Sequence, residues 1–278
     1  MGAASVIDCA GKLLDLSQPQ VMGVLNVTPD SFSDGGDFLS FDLAMEQARR
    51  MVEEGAAIID VGGESTRPGA PSVTEIEELD RVISVIEGIA DTLSVPISID
   101  TSKPNVMRAA VEAGAGLIND VQALQAPGAI ETVADLDVPV CLMHMQGEPR
   151  TMQKNPRYSN VVSEVKAFLT QRIDCCIAAG IPHDRLLIDP GFGFGKTLDH
   201  NLALLRDLQE LVALDLPILV GLSRKSMIGA LLDEPTDRRM FGGLAAAVLA
   251  VERGARIIRT HDVKPTADAL AVTAAISL

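Results

Sequence analysis

The chain has 278 residues, of which 47% are hydrophobic and 22% are charged. This balance excludes a disordered or fibrous chain, and the length is close to the roughly 250 residues of an eight-fold β/α barrel. The formal net charge of −15 argues against a protein that binds nucleic acid through phosphate contacts, so an anionic ligand would need a local cluster of basic residues.

Residues 5–16 come before the first long apolar run and predict a small hairpin over the bottom of the fold. Beyond them, short runs rich in β-branched residues recur and predict eight strands. The first begins at Val21 and the last at Ala255, so the mean repeat is (255 − 21)/7, about 33 residues, the length of one βα unit. The runs are continuously apolar, as is typical of parallel strands covered on both faces. We place them at 21–28, 57–63, 96–102, 117–121, 139–145, 186–191, 217–223 and 255–262.

Helical patterns fill the intervals between these strands. Thr74 and Glu77 have the spacing of a capping box, in which each side chain bonds the other residue's backbone N–H. The helices are predicted at 42–54, 74–91, 104–113, 127–135, 159–179, 199–213, 236–253 and 266–277. No linker or change of composition divides the chain. The predicted fold class is therefore α/β: a single (β/α)8 TIM barrel with a short N-terminal hairpin, forming one domain over residues 1–278.

The cysteines and the apolar runs indicate the compartment. Cys9, Cys141, Cys175 and Cys176 form no C-x-x-C pair, and a chain of this size does not need disulfides, so we expect free thiols in a reducing environment. The first twelve residues lack the pattern of a secretory signal, and no uncharged apolar stretch reaches 18 residues. These features predict a cytoplasmic protein that does not associate with membranes.

Polar residues gather at the carboxyl ends of all eight predicted strands, where β/α barrels carry their chemistry. A single Asp there is more often a helix cap than a ligand, but capping does not account for eight strand ends out of eight. One group consists of Asp100, Asn119 and Asp189, whose buried acceptors suit a flat heterocycle with paired N–H donors. The second group contains cations and hydroxyls that fit a phosphate or diphosphate, namely Thr66, Arg67, Lys225, Arg259 and His261.

Other catalytic motifs match poorly. The run PGFGFGKT at 190–197 lacks the first glycine of a phosphate-binding P-loop, so we interpret it as a glycine-rich barrel loop. The first strand has no H-x-H pair for a zinc hydrolase, and the chain has no G-x-S-x-G elbow for a serine nucleophile. Lys225 lies just beyond its strand, which suits an anion contact better than Schiff-base chemistry. Cys141 lies in mid-strand and predicts core packing.

Together these residues resemble the dihydropteroate synthases, a family of the folate pathway. The matching segments follow the family order between residues 21 and 263, and they read MGVLNVTPDSFSDGG, IIDVGGESTRPGA, SIDTSKP, LINDV, CLMHMQGEP, LLIDPGFGFGK, GLSRKSMIG and RTHDV. The resemblance implies a TIM barrel, usually a homodimer, that acts as a transferase with magnesium. It would join 4-aminobenzoate to 6-hydroxymethyl-7,8-dihydropterin diphosphate, release diphosphate, and be a target of sulfonamides.

The resemblance also implies a role for each matching position. The pterin-binding set would be Asp100, Asn119, Asp189 and Lys225, with Phe194 near the aryl amine. The diphosphate site would be Asn26, Arg259 and His261, with Asn26 also near magnesium. The first loop would contribute Asp34 and the second loop Thr66 and Arg67, while Pro68 and Ser226 would line the aminobenzoate pocket. The residues expected to matter most for catalysis are Asp34, Arg67 and Lys225.

Two other functions share part of this pattern. A pterin-binding methyltransferase barrel has the same Asp, Asn and Asp anchor but transfers a methyl group to a corrinoid. The basic residues at the ends of the seventh and eighth strands favour the synthase, because they suit a diphosphate. A pterin-binding paralogue without turnover is the second alternative, and the intact first and second loops argue against it.

Overall fold

The computed structural model describes residues 5–28, 36–65, 72–149 and 151–277. Eight parallel strands close into a barrel in chain order, with the last strand paired to the first, and a two-stranded antiparallel sheet precedes them. This confirms the predicted barrel and hairpin. The strands are β1 (Val6–Cys9), β2 (Lys12–Asp15), β3 (Gln20–Asn26), β4 (Ile58–Gly62), β5 (Ile97–Asp100), β6 (Leu117–Asp120), β7 (Val140–Met143), β8 (Leu186–Asp189), β9 (Ile218–Gly221) and β10 (Ala255–Thr260).

Helices connect the barrel strands and cover the outside of the barrel. They are α1 (Gly36–Glu53), α2 (Glu75–Thr92), α3 (Pro104–Glu112), α4 (Ala129–Leu136), α5 (Val161–Ala178), α6 (Leu198–Arg206), α7 (Ser226–Leu232), α8 (Met240–Glu252) and α9 (Val263–Ser277). The predicted capping box is present, since Thr74 Oγ1 accepts from Glu77 N at 3.3 Å and Glu77 Oε2 accepts from Thr74 N at 2.8 Å.

Three helix predictions were wrong in detail. The prediction of one helix over 199–213 failed because α6 ends at Arg206 and a 3₁₀ helix follows at Leu208–Leu214. Leucines at 208, 211 and 214 recur every third residue, and a 3₁₀ helix aligns that spacing on one side. The segment 236–253 begins as a separate 3₁₀ turn at Thr236–Arg238 before α8. The seven residues of α7 were missed because they are too few to show a helical period.

The hairpin β1–β2 closes the amino-terminal end of the barrel. Its buried residues, Ile7, Cys9 and Leu14 among them, pack against a floor of inward-facing strand residues. The two backbones meet closely at Gly116, where an added Cβ would lie 2.3 Å from the carbonyl oxygen of Cys9. The floor consists of Met22, Ile58, Leu117, Cys141, Leu187, Leu219 and Ile257. Only the opposite, carboxyl-terminal end of the barrel is therefore left for a ligand.

The four cysteines are free thiols, as expected, and Cys141 is part of the floor. Burial raises the pKa of Cys9 to about 12 and also raises the pKa of Cys141 well above its ordinary value, so both remain protonated. Among the described residues, we find no helix with the length and apolar character needed to cross a bilayer.

Candidate active site

The inward-facing residues change from apolar to polar one layer above the floor. Alternate residues of a strand face the same side, so each position two residues after a floor residue also faces inward. On β4, β6, β8 and β10 these positions are Asp60, Asn119, Asp189 and Arg259. Three of the four are buried and Arg259 is half-buried, so the strands place three predicted site residues in one layer.

Arg259 joins two strands' carboxylates at the centre of this layer. Its Nε donates to Asp60 Oδ2 at 2.6 Å, and its Nη2 donates to Asp100 Oδ2 at 2.8 Å. Asn119 Nδ2 also donates to Asp60 Oδ2, at 3.3 Å. Arg259 was predicted in the diphosphate group, but it pairs with Asp100 of the heterocycle group and with Asp60, which was in neither group. An ion pair therefore links the predicted heterocycle site to the predicted anion site.

Asp60 belongs to this layer and was missed by the sequence analysis. Its side chain is fully buried, and its Oδ1 has no hydrogen-bond partner among the described residues. Burying a carboxylate oxygen without a hydrogen-bond donor costs free energy, and an oxygen in this state is typical of a group that binds a ligand. The sequence signal for Asp60 was a charged residue inside the otherwise apolar run AAIIDVGG, two residues before the end of β4.

Burial shifts the pKa values of the other two carboxylates upward. Removal from water raises the pKa of Asp100 to about 7; the Arg259 guanidinium opposes this rise and Asp60 adds to it. Burial likewise raises the pKa of Asp189 to about 6, opposed first by a hydrogen bond from Gly191 N to Asp189 Oδ1 at 2.7 Å and then by Lys225. Both groups would ionise more readily against a ligand that supplies N–H donors or positive charge.

Lys225 and Phe194 form one wall of the site. The Lys225 ammonium lies 4.3 Å from the centroid of the Phe194 ring, a cation–π contact. Burial and the nearby Arg259 lower the pKa of Lys225 to about 8, while Asp189 and Asp100 raise it. Phe194 also packs in a buried apolar cluster with Val121, Met143 and Met152. This wall offers an apolar surface and a cation side by side, which suits an aromatic ligand.

The ends of β3, β9 and β10 hold the remaining predicted residues. His261 follows Arg259 by two residues, just beyond the end of β10, and its Nδ1 lies 3.1 Å from Ser223 Oγ. Asn26 and Asp100 flank Gly62 across adjacent strands, and the missing Cβ of Gly62 leaves space between them. Ser226 is exposed at the start of α7, directly after Lys225.

Four predicted site residues lie outside the residues that the structure describes. They are Asp34, Thr66, Arg67 and Pro68. The chain on either side of the second loop is held by a partly buried cluster of one lysine and two glutamates. Lys103 Nζ contacts Glu64 Oε2 and Glu78 Oε2, each at 2.5 Å, and Val73 N donates to Glu64 Oε1 at 3.3 Å. Glu64 therefore connects the end of β4 with the residues just before α2.

Comparison with known proteins agrees with this geometry. The family model of the pterin binding enzymes matches residues 22–261. The dihydropteroate synthase of Haemophilus influenzae is 56% identical over 261 residues, which cover 94% of this chain and 95% of that protein. A Xanthomonas albilineans dihydropteroate synthase solved with 4-aminobenzoic acid is 53% identical and superposes with a TM-score of 0.94, covering 99% of both chains. A Yersinia pestis dihydropteroate synthase in complex with a sulfonamide drug is 52% identical, with a TM-score of 0.94 and coverage of 98% and 99%.

Proposed function

Because the chain belongs to the dihydropteroate synthases of the pterin-binding enzyme family, we propose that it joins 4-aminobenzoate to 6-hydroxymethyl-7,8-dihydropterin diphosphate and releases diphosphate. The observation that carries the proposal is the buried layer of Asp60, Asp100, Asn119 and Asp189 around Arg259. Buried acceptors in this number need a ligand rich in N–H donors, and the amino-amidine edge of a pterin is such a ligand.

The reaction follows from the charges of the site. The ring lies in the polar layer, and its methylene-diphosphate group points toward the ends of β3 and β10. Arg259 and His261 stabilise the negative charge that develops on the departing diphosphate. The C–O bond breaks and leaves a cation delocalised into the dihydropterin, which the carboxylates of Asp100 and Asp189 favour. The amine of 4-aminobenzoate attacks this cation from the wall formed by Phe194 and Lys225, and the new C–N bond is completed when the amine gives up a proton to the departing diphosphate. No covalent bond to the protein is needed.

A product assay tests the proposed function. Protein supplied with both substrates should form 7,8-dihydropteroate and diphosphate in equal amounts, and omitting either substrate should abolish sustained turnover to both products. A sulfonamide should inhibit competitively with 4-aminobenzoate, because both share the aniline group. Sustained diphosphate release over many turnovers without 4-aminobenzoate would instead indicate a hydrolase. Methyl transfer from a methylated pterin would support the alternative barrel.

We propose that magnesium acts with the diphosphate. No group of three or more His, Cys, Asp and Glu side chains that could hold a metal occurs among the described residues. The Asn26 amide oxygen and the neighbouring Asp100 carboxylate are hard oxygen donors, and Mg²⁺ is commonly held by one or two protein oxygens together with substrate phosphates. The residues therefore fit an ion that enters with its substrate. When bound, magnesium would neutralise charge on the leaving group.

Chelation of magnesium should weaken recognition of the diphosphate group and leave recognition of the pterin ring unchanged. With excess EDTA, we expect the affinity for pterin diphosphate to fall at least about tenfold, or 1.4 kcal/mol, because the anion loses its counter-charge. The affinity for the unphosphorylated pterin alcohol should stay within about twofold, since that ligand carries no diphosphate. Calorimetry with both ligands is the measurement. An equal loss for both ligands, or no loss for either, would contradict a diphosphate-linked metal.

We also propose a homodimer formed through α8 and α9, which are packed neighbours. Phe241, Ala245 and Leu249 recur at four-residue spacing on α8 and are all exposed, Phe241 to 75%. On α9, Val272 and Ile276 are exposed at the same spacing, to 60% and 79%. A contiguous apolar surface on two adjacent helices is typical of a protein interface, and a second copy of the chain is the partner that the family resemblance implies.

Charge on this surface should dissociate the dimer. Phe241→Asp should give a monomer in sedimentation experiments at micromolar concentration, because a carboxylate would be buried without a partner. Ile76→Asp is the matched control, since Ile76 is 70% exposed on α2, away from α8 and α9, and this variant should remain a dimer. A wild-type monomer, or a dimeric Phe241→Asp variant, would contradict the proposed interface.

The unbridged cysteines also support a cytoplasmic location.

A further inference from the structure

Apart from the Phe194 ring and the Gly191 N–H that bonds Asp189, the glycine-rich segment 190–196 has no role in the mechanism above, although its sequence resembles a phosphate-binding loop. Its backbone packs directly on the residues that follow β7. Gly191, Gly193 and Gly195 all have positive φ, at 68°, 80° and 62°. An added Cβ at Gly191 would lie 1.9 Å from the carbonyl oxygen of His144, and at Gly195 it would lie 2.3 Å from that of Gln146. The glycines are therefore needed for close backbone approach and for left-handed turns.

The loop turns its carbonyl groups inward onto its own lysine. Lys196 Nζ donates to Gly191 O at 2.9 Å, to Phe194 O at 3.1 Å and to His144 Nδ1 at 2.9 Å, and the His144 carbonyl oxygen lies 3.4 Å away. The Lys196 side chain is only 3% exposed. An ammonium group has three N–H donors, and these three acceptors satisfy them all. A P-loop presents N–H groups to an anion, whereas this loop presents carbonyls to an internal cation.

His144 completes this arrangement from the end of β7. Burial and then the adjacent Lys196 lower the pKa of His144 to about 3, so the ring is neutral, and Nδ1 accepts in the tautomer that carries its proton on Nε2. Its ring packs edge-on against Phe168, with 4.9 Å between centroids. Burial lowers the pKa of Lys196 to about 7, with Asp189 opposing the shift and Lys225 adding to it. The amine is thus fixed between the barrel wall and the loop.

We propose that Lys196 is a positioning residue that fixes Phe194 against Lys225 and thereby shapes the binding site of the aryl amine. One of its three partners is the carbonyl group of Phe194 itself, so the ammonium directly restrains the backbone that carries this ring. The loop is braced from outside by Tyr158, whose hydroxyl donates to Gly195 O at 2.9 Å. The identity of the aryl amine as 4-aminobenzoate rests on the proposed function.

The proposal predicts unequal effects on the two substrates. Asp100 and Asn119 lie on β5 and β6, outside the loop, and Asp189 lies on β8 and is bonded by the loop at Gly191 N, so pterin affinity should depend less on Lys196 than aryl-amine affinity does. Lys196→Met removes all three donors and should raise the KM for 4-aminobenzoate by at least about tenfold. The Kd for the pterin should change by less than threefold, or about 0.65 kcal/mol. Lys196→Gln keeps two N–H donors and should have an intermediate effect. It also tests the same split if Lys196→Met does not fold.

An exposed lysine near the loop provides the control for Lys196. Lys154→Met removes an exposed lysine from the neighbouring segment and should leave both constants within twofold of the wild type. A KM for 4-aminobenzoate within twofold of the wild type in both Lys196 variants would overturn the proposal. An equal loss of affinity for both substrates would also overturn it, because that result indicates general disruption of the barrel end.

A second readout does not depend on turnover. Met143 and Met152 pack in the same cluster as Phe194, so their methyl groups sense its ring current. In spectra of ¹³C-methyl methionine protein, Lys196→Gln should shift these two signals and leave Met22, in the floor, unchanged. Shifted signals in a protein whose wild type makes no dihydropteroate would refute the proposed function but keep the positioning role. Unshifted Met143 and Met152 signals would refute the positioning role even if turnover is normal.

Discussion

Arg259→Met should destabilise the protein by about 3–5 kcal/mol, because it leaves the fully buried carboxylate of Asp60 without its counter-charge. Asp100 loses its partner in the same change. Denaturant unfolding of the ligand-free protein is the measurement. The pair Asp60→Asn with Arg259→Met should recover most of the loss, since the buried charge of Asp60 is then removed together with its partner, and Asp100, whose raised pKa of about 7 is held down by Arg259, can take up a proton.

This double variant also separates the structural and ligand-binding contributions of Arg259. Its stability should approach that of the wild type, while its affinity for pterin diphosphate should remain low, because no guanidinium is left for the anion. Arg206→Met, on the outside of the barrel in α6, is the control for loss of an arginine and should shift stability by less than about 0.5 kcal/mol. Wild-type stability in Arg259→Met would show that the ion pair with Asp60 contributes little.

Asp189→Asn should shift stability and pterin binding in opposite directions. Burial raises the pKa of Asp189 from an ordinary value near 3.8 to about 6, so the ionised form is penalised in the folded protein. An acid with a raised folded pKa destabilises the fold above that pKa, and the penalty fades as pH falls through 6 toward 4. The amide should therefore stabilise the ligand-free protein by roughly 1–3 kcal/mol at pH 8 and by less at pH 5.

Pterin affinity should fall at least about tenfold in the same variant, because an amide NH₂ would face ring N–H groups that need an acceptor. Thermal unfolding at both pH values and calorimetry with the pterin alcohol give the two quantities. Asp174→Asn on the exposed side of α5 controls for the change of net charge. A variant that loses stability and keeps pterin affinity would contradict the role of Asp189 as an anchor.

The barrel could be predicted from the sequence because the apolar runs, the glycines and the capping residues all indicated the same strands and helices. The apolar runs fixed the number and order of the strands, and the glycines and the Thr74 capping box marked helix ends. The boundaries failed where tertiary contacts override helical periodicity. The leucines at 208, 211 and 214 select a 3₁₀ segment, and Arg239, which donates to Glu234 O and Arg224 O, marks the break before α8.

The site was predicted less completely, for three physical reasons. Polar residues at the strand ends indicated Asp100, Asn119 and Asp189, but Asp60 was missed because it reaches the same layer from the middle of β4. Sorting by charge then assigned Arg259 to the anion, although its nearest partners are carboxylates on strands far away in the chain. Lys196 was missed because its partners are mostly backbone carbonyls, which leave no signature in side-chain composition.

The central claim is that the buried layer around Arg259 recognises the pterin ring edge. A crystal structure of the protein with 6-hydroxymethyl-7,8-dihydropterin tests it most directly. We expect the amino-amidine edge of the ring to lie within hydrogen-bond distance, about 3 Å, of Asn119 and Asp189, with the ring between Met143 and the Arg259–Lys225 side. A ring bound elsewhere, with this layer left as it is in the ligand-free protein, would contradict the claim.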